Sequence, residues 1–150
     1  MKKIIIIIAI MIVTFLIIKV FLPNEKNLVA RDIKSLKNAV EREDKMSILE
    51  YLDESYMDKH NITYEHMVNA IDEFFLQVDS IQIFRSGMKI SIDSVDGENN
   101  TYASCSLGLK ILANLEGEKV LVYGGVFKPS PVRAWFKKID RYYRVYYAEY

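Results

Sequence analysis

Acid–base chemistry needs a carboxylate, an imidazole or a phenol held where bulk water does not set its pKa. The groups of this 150-residue chain that could serve are Tyr51, Tyr56, Asp58, His60, Asp79 and Tyr123. Asp58 and His60 share the stretch Asp58-Lys59-His60-Asn61, whose polar character reads as a solvated loop. No residue is assigned a catalytic role on this basis.

Metal and thiol chemistry have less support. His60 and His66 are the two histidines, with a helix start expected between them. A metal site needs further converging ligands, and no H-x-x-x-H spacing or cysteine pair is present; neither a metal nor a cofactor is expected. The single cysteine, Cys105, alternates with Ala103 and Leu107 and reads as a small buried apolar residue. It excludes an intrachain disulfide, and no cation or helix start marks it as reactive. Gly124-Gly125 lies within a strand-like run with no helix after it, so it reads as a bend rather than a phosphate loop.

Aromatic and basic residues near the end of the chain suggest recognition instead. The sequence has ten tyrosines, among them Tyr142, Tyr143, Tyr146, Tyr147 and Tyr150. Strand alternation puts Tyr143, Val145 and Tyr147 on one face and Arg144, Tyr146 and Ala148 on the other. Arg133, Trp135, Lys137, Arg144 and Tyr146 then form an aromatic-basic patch suited to anchoring a partner. Nucleic acid is not the expected partner. Beyond the first 22 residues the chain carries 17 of its 20 Lys+Arg and all 20 Asp+Glu, a net −3 with scattered charges. Binding nucleic acid would require a clustered basic face.

The elements that position these residues begin with Ile4 to Leu22, apolar except for Thr14 and Lys19. At about 1.5 Å per residue it is long enough to span a bilayer, with Lys19 reaching the interface. Lys2 and Lys3 orient it with the N-terminus in the cytoplasm and the rest exported. Val20-Phe21-Leu22-Pro23 offers no small-residue cleavage pattern, so an anchor is expected over a cleaved signal peptide. Residues 1–22 are therefore read as a single-pass signal-anchor, 23–27 as a linker and 28–150 as one exported domain.

In that domain Val29, Ile33, Leu36 and Val40 form one helical stripe, predicting a helix from about Leu28 to Glu43. Asp44 caps a short second helix to Leu52, and Asp53 to Asn61 reads as a loop or helical turn. Thr63 caps a third helix to about Val78, with Ile62 and Met67 as a staple. The period then changes to two. Ile81 and Ile83 lead to Gly87, read as a bulge or a break. Further strands follow over Met88–Ile92, Ala103–Ile111, Val120–Phe127, Val132–Ile139 and Tyr143–Glu149. The fold class is α+β: three helices packed on one face of a bent antiparallel sheet of four to six strands.

This order resembles the nuclear transport factor 2-like superfamily, also called cystatin-like or ketosteroid-isomerase-like. The likeness is carried by Asp53-Glu54-Ser55-Tyr56-Met57-Asp58, by Thr63-Tyr64-Glu65 through Phe74-Phe75, and by Ala134 to Val145, similar to the family's closing hairpin. Tyr143 stands where that hairpin usually has Trp. The resemblance implies a cone with a pocket between sheet and helices, where enzymes of this fold place an Asp or His base and a Tyr or Asp donor. Pocket candidates are Tyr51, Tyr56, Asp58, Phe74, Phe75 and Tyr123, none matching a family catalytic position. The resemblance also implies sheet-packed homodimers. Two functions follow: an extracytoplasmic binding or assembly module, partnered by a second copy or a membrane-surface protein, or a small-molecule-binding or isomerase/dehydratase-like pocket domain.

Overall fold

Asn24 starts the first helix: its side-chain oxygen accepts the Lys26 backbone N–H at 3.0 Å, satisfying one orphan donor of the first turn. This is the first residue that the structure, a computed structural model, describes; it covers residues 24–96 and 100–150. The expected membrane-spanning stretch, Ile4 to Leu22, lies outside the described residues. Among those described, no helix is long and apolar enough to cross a membrane.

Helix α1 (Glu25–Glu41) begins inside the stretch read as a linker. Asp44 caps α2 (Lys45–Glu50) by accepting the Ser47 N–H at 3.2 Å and the Ser47 hydroxyl at 2.6 Å. At α3 (Tyr64–Gln77) the N-cap Thr63 donates its backbone N–H to Nδ1 of His66, three residues on, so His66 closes a helix end.

The six strands are β1 (Leu52–Asp58), β2 (Val78–Val95), β3 (Thr101–Leu115), β4 (Glu118–Tyr123), β5 (Ser130–Ile139) and β6 (Tyr142–Glu149). They form one sheet in the order β1-β6-β5-β3-β2, with β4 also on β3. Two expectations need correction. The segment read as a loop, 53–61, is largely β1, and β1 pairs with β6 in parallel, so the sheet is mixed rather than antiparallel. The pattern hid this strand because Leu52 and Asp53 are both buried, breaking the alternation. Asp53 is accommodated by accepting the Ser55 N–H at 2.9 Å and the Ser55 hydroxyl at 2.5 Å.

Bulges bend the sheet and decide which parity faces the helices. The β2–β3 register slips between Asp79 and Gln82, between Ser86 and Lys89, and between Ile92 and Ser94. Gly87, at φ +59°, sits in the second slip. Each extra residue reverses the phase, so Ile83 and Arg85 before it and Ile90 and Ile92 after it point to the same side. Gly124, at φ +95°, ends β4; a side chain there would lie 2.7 Å from the Leu109 carbonyl oxygen, which only glycine avoids.

Helices cover the concave face. Val29, Ile33, Ile48, Ala103, Cys105, Phe136, Tyr143 and Val145 form the main core. A smaller cluster, Val78, Ile81 and Ala113, is packed by Val40, Phe74 and Phe75. α1 is held in place by polar bonds as well as by apolar contact. Oδ2 of the buried Asp32 accepts the Tyr143 N–H at 2.8 Å, and its Oδ1 takes Arg31 Nε at 2.8 Å. Arg31 continues to the Arg141 carbonyl at 3.0 Å. Two turns earlier, Glu25 accepts Lys138 Nζ at 2.8 Å and the Tyr143 hydroxyl at 2.6 Å.

Removing the Asp32 carboxylate orphans the buried Tyr143 N–H, which costs about 1–3 kcal/mol. Asp32→Ala is expected to lower unfolding free energy by about 2 kcal/mol in urea denaturation, and Asp32→Asn, which keeps an acceptor, by less.

Candidate functional site

Residues paired across the strands share a face, and the register sorts them into two surfaces. On the concave side the rows are Ile92–Ala103–Phe136–Val145 and Ile90–Cys105–Ala134–Ala148, followed by Leu107–Val132, Arg85–Leu109 and Ile83–Ile111. On the convex side they are Lys89–Ser106–Arg133–Glu149, Ser91–Ser104–Trp135–Tyr147 and Tyr102–Lys137–Arg144.

The concave rows and α1 line a partly open cavity of about 230 Å³. α1 contributes Ile33, Leu36, Lys37 and Val40; β2 contributes Ile83 and Arg85; β3 contributes Cys105, Leu107, Leu109 and Ile111. Val132, Ala134 and Phe136 of β5 and Val145 of β6 complete it. The lining holds no Asp, Glu, His or Tyr, and none of the six pocket candidates belongs to it.

Those candidates lie elsewhere. Tyr51 caps the end of α2, stacks edge-on with Tyr142 at 5.8 Å, and gives its carbonyl to the Val145 N–H. Phe74 and Phe75 fill the smaller core cluster. Tyr56, Asp58 and Tyr123 do meet, at the ends of β1, β4 and β6, around Tyr150, a C-terminal tyrosine that is not among the pocket candidates. Asp58 is almost wholly buried; its Oδ1 accepts the His60 and Ile62 N–H groups, each at 2.8 Å, and its Oδ2 accepts the Tyr150 hydroxyl. Tyr150 also packs against Tyr123 at 6.3 Å and His60 at 5.6 Å, with Lys59 Nζ 5.4 Å from its ring. Tyr123 gives its hydroxyl to the Pro131 carbonyl at 3.3 Å. Asp79 is exposed on β2.

This cluster is a fastener for the turn after β1. Burial pushes the Asp58 carboxyl up, but the Tyr150 hydroxyl, two N–H donors and the nearby His60 outweigh it and hold the group below the usual carboxylate value. Burial pushes the Tyr56 phenol up to about 12, helped by the Asp58 charge. Burial raises Tyr150 too, and its bond to Asp58 adds to that. The ionised Asp58 carboxylate thus spends three accepted bonds on the turn and on Tyr150, beside phenols held protonated.

In the cavity, burial lifts the Cys105 thiol to about 11, with Arg85 pulling partly the other way, so it stays protonated. Among the described residues no three His, Cys, Asp or Glu converge to hold a metal.

The convex face is where the aromatic-basic residues gather. Trp135 packs on Tyr147 at 5.3 Å and Arg133 stacks on Trp135 at 5.6 Å. Tyr102 meets Tyr146 at 6.0 Å. The expected faces of β6 are corrected here: the register slips between Trp135 and Phe136, so Tyr147 joins the convex side and Ala148 turns into the core. A recess of about 300 Å³ runs between Lys89, Ser91, Ser104, Ser106, Arg133 and Trp135. Arg144 Nε is buried on this side with no hydrogen-bond partner among the described residues.

No family model matches the sequence, and no curated protein is similar to it. Solved structures share its fold. Pgp2, the helical cell shape determining protein from Campylobacter jejuni, superposes with TM-score 0.62 at 16% identity, over 79% of this chain and 38% of that one. The chain thus spans well under half of Pgp2. A proposed scytalone dehydratase from Novosphingobium aromaticivorans gives 0.66 at 13% identity, over 83% of this chain and 81% of that one. A proposed dehydratase of the nuclear transport factor 2-like family from Streptomyces avermitilis gives 0.63 at 14%, over 85% and 96%. The fold is nuclear transport factor 2-like. At these identities the likeness establishes architecture and leaves chemistry to the site.

Asp58, Glu25 and Glu41 are all held below the usual carboxylate value, the bonds from Tyr150, Lys138 and Lys37 outweighing burial in each case. Their stabilisation is complete above the unfolded-state values, about 4, and is lost as pH falls through the lower folded-state values. Melting temperature is expected to be flat from pH 7 to 5 and to drop below 4. Tyr150→Phe should melt lower than the parent at pH 7, with the gap closing below pH 4. A gap that stays constant with pH would contradict this role for the Tyr150–Asp58 bond.

Proposed function

We propose that the chain is a non-catalytic docking module, held at the outer face of a membrane by Ile4 to Leu22, whose convex sheet face receives an acidic surface of a partner protein. The observation that carries this is the face itself. Trp135, Tyr102, Tyr146 and Tyr147 lie half-buried on it beside Lys89, Arg133, Lys137 and Arg144, against the acids Asp93, Asp96 and Glu149. Aromatic anchors with arginine are typical of binding hot spots.

Charge selects the occupant. A second copy docked about a two-fold axis would set this net-positive patch against itself, because such an interface uses the same surface twice. An acidic partner is attracted instead, its carboxylates matching the Lys and Arg side chains of the patch. The cavity supports the non-catalytic part of the reading, since its lining offers no carboxylate, imidazole or phenol to move a proton. The anchor rests on the apolar run behind Lys2-Lys3. It would deliver α1 to the β5–β6 turn, where Glu25 binds Lys138. A role in shaping or assembling an envelope, as the name of Pgp2 states for that protein, would suit a module so tethered.

The test is a photo-crosslinking side chain at position 137 of the full-length protein in its native membrane. The expected adduct joins a different protein with an acidic surface, weakens as salt rises, and falls about tenfold in Arg133→Glu. Adducts formed only between copies of this chain, or adducts indifferent to salt and to Arg133→Glu, would sink the proposal.

A further inference from the structure

The concave cavity is no part of the docking surface, and its composition is unusual in one respect. Its walls are aliphatic or aromatic apart from Cys105 and two cations, Lys37 and Arg85. The two cations are not equivalent. Lys37 Nζ is matched by Glu41, at 2.5 Å to Oε2. The other Glu41 oxygen accepts the Ile83 N–H at 2.8 Å, so that carboxylate is fully engaged. Arg85 has no such match: its Nη1 is buried without a hydrogen-bond partner among the described residues. Arg85 nonetheless belongs to the cavity wall: it is half-buried, pairs with the inward-facing Leu109, and its charge reaches both Glu41 and Cys105.

A buried donor on a charged group without an acceptor is costly. Water is a poor remedy here, since a buried water needs two to four polar partners and the walls supply almost none. The missing acceptor would have to arrive with a body that suits apolar walls. A water takes roughly 30 Å³ of the liquid and bonded chain atoms lie closer together than waters do, so 230 Å³ holds about eight to ten heavy atoms of a chain. That is too little for a sterol-sized ring system. Phosphate would satisfy the guanidinium and leave the apolar walls empty.

We propose that this cavity binds a short aliphatic carboxylate, of about six to eight carbons, with its chain between Leu36, Leu109 and Phe136 and its carboxylate on the Arg85 guanidinium. The planar guanidinium edge presents two parallel N–H groups to a carboxylate, and the low-polarity surroundings strengthen that pair. The chain buries its methylenes at about 0.8 kcal/mol each. No bond is made or broken, in keeping with walls that carry no acid–base pair. The site lies on the opposite face of the sheet from Trp135, so it stands or falls separately from the docking surface.

The test uses the full-length protein in lipid nanodiscs, with carbonyl-13C octanoate followed by NMR against empty nanodiscs. Octanol is the neutral competitor of equal length. The unmodified chain is expected to bind octanoate about tenfold more tightly than octanol, as one charge-assisted bond requires. Arg85→Met should remove that preference while still binding octanol, and Leu109→Trp should abolish binding of both. Trp135→Ala should leave octanoate binding unchanged. No bound octanoate with the unmodified chain overturns the proposal whatever the variants do. So does an Arg85→Met chain that keeps the preference, or a folded Leu109→Trp chain that binds as the parent does.

Discussion

The Asp32 carboxylate, buried beneath α1 and bonded to the Tyr143 backbone N–H, is the constraint on which the rest of the domain depends. Hydrophobic contact alone would let a helix slide over a curved sheet, since apolar burial is non-directional. A buried acceptor with one short, directed bond to a strand amide does not slide. With Glu25 reaching Lys138 and the Tyr143 hydroxyl two turns earlier, α1 is fixed at its start to the β5–β6 hairpin. The other end is fixed by Glu41, which takes the Ile83 N–H of β2. A helix pinned at both ends spans the hollow of the sheet, so the cavity beneath Leu36 and Val40 persists where a free helix could collapse into it.

The helices were legible because each rests on local signals: a stripe of apolar residues and a polar cap at Asp44 or Thr63. Most strands were legible for the same reason, including the bulge at Gly87. What the sequence concealed was non-local. β1 carries too many polar residues to read as a strand; Asp53, which lets it be one, bonds within the strand, and Asp58 bonds the turn after it and the distant Tyr150. Its parallel pairing with β6 joins residues some ninety positions apart, a relation no period reveals. The slip between Trp135 and Phe136 reversed the expected side of Tyr147 for a similar cause: a bulge needs no glycine to mark it.

Site legibility divides along the same line. The convex aromatic-basic group was readable because it follows from simple alternation along two adjacent strands. The concave candidates were misplaced because residue chemistry was used to choose them. Tyr56, Asp58 and Tyr123 look like a donor–base set, and they do meet, but to fasten a turn. Arg85 carried a signal that could have found it: it occupies the inward phase set by Ile81 and Ile83, where a cation is out of place.

The position of Trp135 has a spectroscopic consequence. It is the single tryptophan of the chain, and it stands on the convex face against Tyr147 and under Arg133. Its emission therefore senses the environment of that face and is separated by the sheet from the cavity behind it. The protein carries a one-sided optical label: events at the aromatic surface alter the polarity around the indole and its contact with Arg133, whereas filling the hollow under α1 leaves its surroundings unchanged.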